Sequence, residues 1–165
     1  LNIKDSLDLE HLSVWLKKNE YLFFMSLHPK YHKQTRDIFY PNIHFIEDSD
    51  INPLLPFFDM LVTDYSSIFT DFLLLNRPII FYPYDLKEYT EKEGLSFDNY
   101  DEYTPGPKVY TPKDLLDTLE KSVSIDNYST DRMRILDLYH KYKNGGSTKR
   151  IMEILWKQYL FSTYT

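Results

Sequence analysis

At 165 residues the chain has the length of a single domain. With 42% hydrophobic residues it can bury a real core, which excludes disorder for its bulk. A formal net charge of −6 excludes general nucleic-acid binding, since no basic excess exists to displace counterions from a phosphate backbone.

In chain order, Ser6–Lys18 reads as an amphipathic helix, with Leu9, Leu12 and Leu16 at helical spacing. The near-continuous apolar run Tyr21–Leu27 predicts a strand covered on both faces. A loop with one short helix follows, and then a second strand, Asn42–Asp48. The prolines of "INPLLPFF" allow only a short helix there. "DMLVTD" predicts a third strand, "SSIFTDFLLLN" a helix of about three turns, and "PIIFYPY" a fourth strand. The aromatic stretch "LSFDNYDEYTPGPKVY" reads as a loop. Thr111 and Pro112 supply an N-cap and first-turn proline for the helix "KDLLDTLEKSV". Asn127–Tyr142 and Ser147–Tyr159 complete a helical C-terminus, with Gly145-Gly146 as the turn between them. Strands alternating with helices imply an α/β fold, a Rossmann-like parallel sheet with helices on both faces, over residues 1–165 as one domain.

Cysteine is absent, so disulfides, thiolate catalysis and Cys-ligated metals are excluded. No run reaches the roughly 20 apolar residues of a membrane span, and no signal peptide is visible, which fits a cytoplasmic location. The opening residue, Leu1, suggests a piece of something longer.

Open parallel sheets bind ligands at the carboxyl ends of their strands, so the loops after Leu27, Asp48, Asp64 and Tyr84 are the ones to inspect. After the first strand comes His28-Pro29-Lys30. Proline keeps that chain extended, which leaves His28 either as a hydrogen-bond donor to a phosphoryl oxygen or as an ordinary surface histidine. His28 and His32 have the spacing of a metal pair, yet no third ligand follows. After the second strand, Asp48-Ser49-Asp50 reads as a divalent-ion motif or, more economically, as the cap of the short helix at Ile51. After the third strand comes Thr63-Asp64-Tyr65-Ser66-Ser67. Ser66 fits an N-cap, and unsatisfied N–H groups plus two hydroxyls there make an anion site, or simply a well-capped helix. Asp64 would repel a phosphate and so fits a loop-fixing role; Asp71 faces either the same mouth or solvent. Neither a dinucleotide fingerprint, a Walker loop nor a serine-hydrolase elbow is present.

These pieces, in order, resemble the C-terminal half of the CDP-glycerol glycerophosphotransferase family, the teichoic-acid and capsule primases and polymerases of two-domain GT-B architecture. The resemblance rests on a strand followed by "HP", then "TDYSS", "DF", "RPI" and "FYPYDL", then "FD", "PGP" and a late "NGGSTKRI", spanning Tyr21 to Ile151. It implies a CDP-alcohol donor bound between two Rossmann-like domains. It makes His28 the donor-side catalytic histidine, and Pro29, Lys30, Thr63, Asp64, Tyr65, Ser66, Ser67 and Asp71 the donor-binding residues. An acceptor hydroxyl, on a lipid-linked or polymeric acceptor, would attack the β-phosphorus of CDP-glycerol or a related CDP-alditol, with no metal or other cofactor assigned. The N-terminal domain of that architecture is missing from these 165 residues, which implies a donor-binding half inactive alone. The resemblance also implies peripheral association with the inner face of the cell membrane.

Two other readings stand beside it: half of a nucleotide-sugar GT-B glycosyltransferase, and a non-catalytic interaction domain using the aromatic stretch Phe97–Tyr110 and the helical tail. The tail "RIMEILWKQYLFSTY" is amphipathic but has few basic residues, so core packing, including onto a partner domain, is expected over an interfacial anchor.

Overall fold

The computed structural model describes residues 7–27, 35, 38–46, 50–94 and 99–162. Its elements are α1 (Leu9–Lys18), β1 (Phe23–Ser26), β2 (Ile43–Ile46), a 3-10 segment (Asn52–Phe57), β3 (Leu61–Thr63), α2 (Ile68–Phe72) with a 3-10 turn (Leu73–Leu75), β4 (Ile79–Phe81), α3 (Leu86–Lys92), α4 (Tyr100–Tyr103), α5 (Pro112–Ser124), α6 (Ser129–Tyr139) and α7 (Ser147–Ser162). The α/β class is as expected. All the described strand pairs are parallel: β1 with β2, and β3 with β4 in the register Leu61–Ile79, Val62–Ile80, Thr63–Phe81. They form two short pairs, not one continuous ladder. The strands are only three or four residues long, and Pro41 and Pro78 stand just before β2 and β4.

Strand β4 organises the interior. Side chains alternate across a strand, so Ile80 and Tyr82 enter one core while Ile79 and Phe81 enter another. The first core holds Leu9, Leu12 and Leu16 of α1 and Leu115 and Leu119 of α5, with Met25 of β1 and Ile43 of β2. The second holds Leu55, Phe69, Phe72 and Leu73, with Ile135 and Leu136 of α6. Ile80 and Phe81 have no exposed surface, and each such side chain contributes about 1.5–3 kcal/mol of burial. Helices therefore do cover β4 on both faces. Segment 107–109 lies along the edge of β4 opposite β3: the Phe81 N–H donates to the Pro107 carbonyl (2.9 Å) and the Val109 N–H to that of Phe81 (2.9 Å). Gly106 makes this approach possible, because a Cβ there would lie 2.1 Å from the Ile79 carbonyl oxygen.

Three expectations need correction. The first strand is not covered on both faces: Met25 is buried, but Leu22 and Phe24 are exposed, and Phe24 lies against the rings of His44 and Phe58 on its side. The helix after the third strand is shorter than three turns. Its α part has five residues, and after the 3-10 turn Asn76 adopts a left-handed conformation (φ 47°) that stops it before Pro78. The tail does not pack into this core: Ile151, Met152, Ile154, Leu155, Trp156 and Tyr159 of α7 are all exposed. By contrast, Thr111 caps α5 as expected, its Oγ1 accepting from the Asp114 N–H (3.1 Å) and donating to the Asp114 carboxylate (2.7 Å). The helices α3 and α4 arise in and before the stretch read as an aromatic loop.

The left-handed Asn76 is held by Arg132, which is almost wholly buried. Its guanidinium donates to the Asn76 side chain (3.1 Å), the Asn76 carbonyl (3.1 Å) and both carboxylate oxygens of Asp126. Substituting Arg132→Met strands these acceptors and is expected to cost about 3 kcal/mol in urea unfolding. The guanidinium holds the Asp126 carboxyl below its ordinary 3.8. A lowered pKa gives stability that is present above the unfolded value and lost as pH falls through the folded one. The thermal-midpoint gap between wild type and Asp126→Asn should therefore be steady near neutrality and close below pH 3.8.

Candidate functional site

Strand β3 ends at Thr63, which is buried and whose carbonyl accepts from the Tyr82 N–H (2.7 Å) beyond the end of β4. The next four residues turn the chain into α2. Asp64 shapes this turn in the way a short acid can, its Oδ1 accepting from the Ser66 N–H two residues on (2.8 Å). Its backbone carbonyl accepts from the Tyr100 hydroxyl (2.9 Å), so α4 pins the turn from another side. The loop-fixing role expected of Asp64 is what the structure shows.

Ser66 and Ser67 project from the turn as exposed residues. The Ser66 Oγ accepts from the Ile68 N–H at 3.5 Å, a weak cap. The Ser67 N–H and hydroxyl have no hydrogen-bond partner among the described residues, while the Ser67 carbonyl accepts from the Thr70 N–H and hydroxyl. One free amide and two accessible hydroxyls thus lie side by side at a strand's carboxyl end. With α2 only five residues long, the helix dipole adds little. The donors of the turn itself are the resource.

Tyr65 is engaged on the opposite side. Its hydroxyl donates to Asp85 Oδ1 (3.0 Å), and its ring stacks on Tyr89 with centroids 3.5 Å apart and planes 19° from parallel. Burial, then the bond to Asp85, pushes the Tyr65 phenol far up, so it remains a donor at any ordinary pH. Asp71 lies half-buried in the first turn of α2, with no side-chain hydrogen bond among the described residues. The structure therefore groups Thr63, Asp64, Tyr65, Ser66 and Ser67, with Asp71 one helical turn beyond. His28, Pro29 and Lys30, like His32 and Asp48-Ser49, lie outside the described residues. Asp50 is described, and its carboxylate accepts from the Asn52 N–H (3.1 Å), as the capping reading required.

Sequence reasoning passed over Asp85, Tyr89 and Tyr100. The loop after Tyr84 is one of those at a strand's carboxyl end, and Asp85 is its first residue, but nothing in the residue order joins it to Tyr65.

Burial raises the Asp64 carboxyl above its ordinary 3.8, the Ser66 amide works against that, and the charge of Asp85 adds to it. A raised carboxyl costs stability in full above its folded value, and the cost vanishes once the proton is bound. Asn at this position keeps an acceptor for the Ser66 N–H without the charge. Asp64→Asn is therefore expected to melt at or above wild type at pH 7.5, with the two converging as pH falls through the carboxyl's raised value. A midpoint several degrees lower at pH 7.5 contradicts this.

Among the described residues, no helix is long and apolar enough to cross a membrane. The sequence profile of the CDP-glycerol:poly(glycerophosphate) glycerophosphotransferase family matches residues 2–157. The teichoic acid glycerol-phosphate primase of Bacillus subtilis (strain 168) is 36% identical over 140 residues, which are 84% of this chain and 35% of that protein. The teichoic acid ribitol-phosphate polymerase TarL of Staphylococcus aureus is 27% identical over 154 residues, 91% of this chain and 26% of its own length. Among solved structures, the wall teichoic acid polymerase TagF superposes with a TM-score of 0.66 at 25% identity, covering 94% of this chain and 40% of that one. A TagF variant soaked with CDPG gives a TM-score of 0.68 at 26% identity, covering 92% of this chain and 38% of that one. The chain thus spans well under half the length of these relatives, and its match to the family profile runs through nearly all of it: it belongs to the CDP-glycerol:poly(glycerophosphate) glycerophosphotransferase family.

Proposed function

We propose that this chain is the donor-binding half of a GT-B-type transferase that moves glycerol phosphate, or a related alditol phosphate, from a CDP-alcohol to a polymeric or lipid-linked acceptor. The observation that carries this reading is the Ser66–Ser67 corner, exposed and rich in donors, at the carboxyl end of β3 in a chain of this family. The amide and hydroxyls of that corner would hold the pyrophosphate oxygens of the donor. Thr63, Asp64 and Tyr65 would shape the pocket, and Asp71 would border it. His28, with Pro29 and Lys30 beside it, would face the same pyrophosphate and stabilise charge on the departing CMP. The acceptor hydroxyl would attack the β-phosphorus, which forms the new P–O bond as the bond to CMP breaks. No metal or further cofactor is assigned a part.

A partner N-terminal domain would bring the acceptor and close the cleft. The uncovered apolar residues of α7 support this reading, since they suit a surface that another domain covers. Peripheral membrane association belongs to the same reading through the lipid-linked acceptor.

Calorimetric titration of the chain with CDP-glycerol, CDP-ribitol and a UDP-sugar tests the proposal. A CDP-alditol should bind, weakly and without turnover, and Ser66→Ala, Ser67→Ala and His28→Ala should each weaken it by about 1–3 kcal/mol, equivalent to roughly 5- to 150-fold. Preference for the UDP-sugar overturns the donor assignment, and polymer synthesis by this chain alone overturns the half-enzyme reading.

A further inference from the structure

Helix α3 has an unusual relation to its own first residue. Asp85 occupies the N-cap position, where an aspartate ordinarily accepts an N–H from the first turn and stabilises its helix. Among the described residues no such side-chain bond is made. The carboxylate instead reaches across to the Tyr65 hydroxyl, twenty residues earlier in the chain (3.0 Å). One helical turn on, Tyr89 lies on the same face as Asp85 and stacks on the same Tyr65 ring. The helix buries none of its residues fully, though Leu86 packs partly buried against the second core. The links made by Asp85 and Tyr89 both end on Tyr65, in the middle of the Asp64–Ser67 turn.

We infer that α3 is a positioning element for this turn, with Asp85 and Tyr89 as positioning residues that act through Tyr65 without touching the ligand. This rests on the reading of Ser66 and Ser67 as the pyrophosphate site. The Asp64 carbonyl is tied to Tyr100 and the Asp64 carboxylate to Ser66, but both bonds are made by Asp64, at the start of the turn. The grip on Tyr65 fixes the next residue, and thereby the angle at which the Ser66 and Ser67 donors are presented. Preorganised donors bind an anion without first paying to order the loop. The helix forgoes its own cap to hold a tyrosine elsewhere, which suits a residue kept for the turn's geometry.

The test uses the 165-residue chain with Tyr65→Phe, which deletes one hydroxyl and keeps the stack, together with Asp85→Ala and Asp85→Asn. Asparagine retains an acceptor for the tyrosine and should behave as wild type. Tyr65→Phe and Asp85→Ala should speed hydrogen exchange of the Ser66 amide, which Asp64 holds, by about tenfold, with α1 and α5 unchanged. They should weaken CDP-glycerol by about five- to tenfold, while binding of cytidine, which has no phosphate, stays as in wild type. Unchanged exchange in Tyr65→Phe overturns the inference, and so does an equal loss for cytidine, which marks general damage. If wild type binds no CDP-glycerol, the site reading fails, and the exchange measurement still decides whether α3 positions the turn. Should Asp85→Ala fail to fold, Tyr65→Phe carries the same decision.

Discussion

The two-sided burial of β4 is the constraint from which the rest of the structure follows. Three successive residues, Ile79, Ile80 and Phe81, have almost no exposed surface, and they divide between two cores built by different helices. A strand used in this way cannot shift by one residue, because every side chain would then change cores. Its parallel partner β3 is fixed with it, through the Leu61–Ile79 register and the bond from the Tyr82 N–H to the Thr63 carbonyl. The position of the Asp64–Ser67 turn is thus set by apolar packing well below it.

What the turn can do follows from how its polar groups are divided. Two acids lie beside a corner that is suited to an anion, which is an electrostatic conflict at first sight. Each carboxylate is occupied, Asp64 by the Ser66 amide and Asp85 by the Tyr65 hydroxyl. Burial also makes Asp64 easier to protonate than an exposed aspartate. The acids serve as internal acceptors, and the outward surface of the corner is left to donors. No residue of this turn has a positive φ, so it needs no glycine, and side-chain acceptors hold its shape.

The legible part of the fold was the part written in apolar spacing. The stripe Leu9, Leu12, Leu16, the run of β4 and the Thr111-Pro112 helix start each correspond to one local rule, and each appears where that rule puts it. Failures occurred where one element depends on another far away in the chain. An apolar run such as Tyr21–Leu27 does not say whether a second layer exists to cover Phe24. A stretch of three leucines propagates a helix until a buried arginine from α6 holds Asn76 in a left-handed bend. Helix α3 has no apolar stripe to reveal it, since beside Leu86 its anchors are a carboxylate and a phenol ring. For the candidate site, the strand-end rule located the turn and its serines, but the partners that hold them, Asp85, Tyr89 and Tyr100, come from tertiary contacts that no spacing encodes.

The close approach at Gly106 has a consequence for how such a chain can diverge. The segment from Asp85 to Thr104 leaves the body beside one end of β4 and returns beside the other through a glycine with no clearance above the Ile79 carbonyl. Within it Asp85 and Tyr89 hold Tyr65, Tyr100 holds the Asp64 carbonyl and Thr104 is fully buried, so free variation is confined to the exposed stretch that follows Tyr89. Doubling its length would add only about 0.6 kcal/mol of closure entropy. Insertions and new side chains are therefore cheapest just beyond Tyr89, on a scaffold whose strands tolerate almost no change.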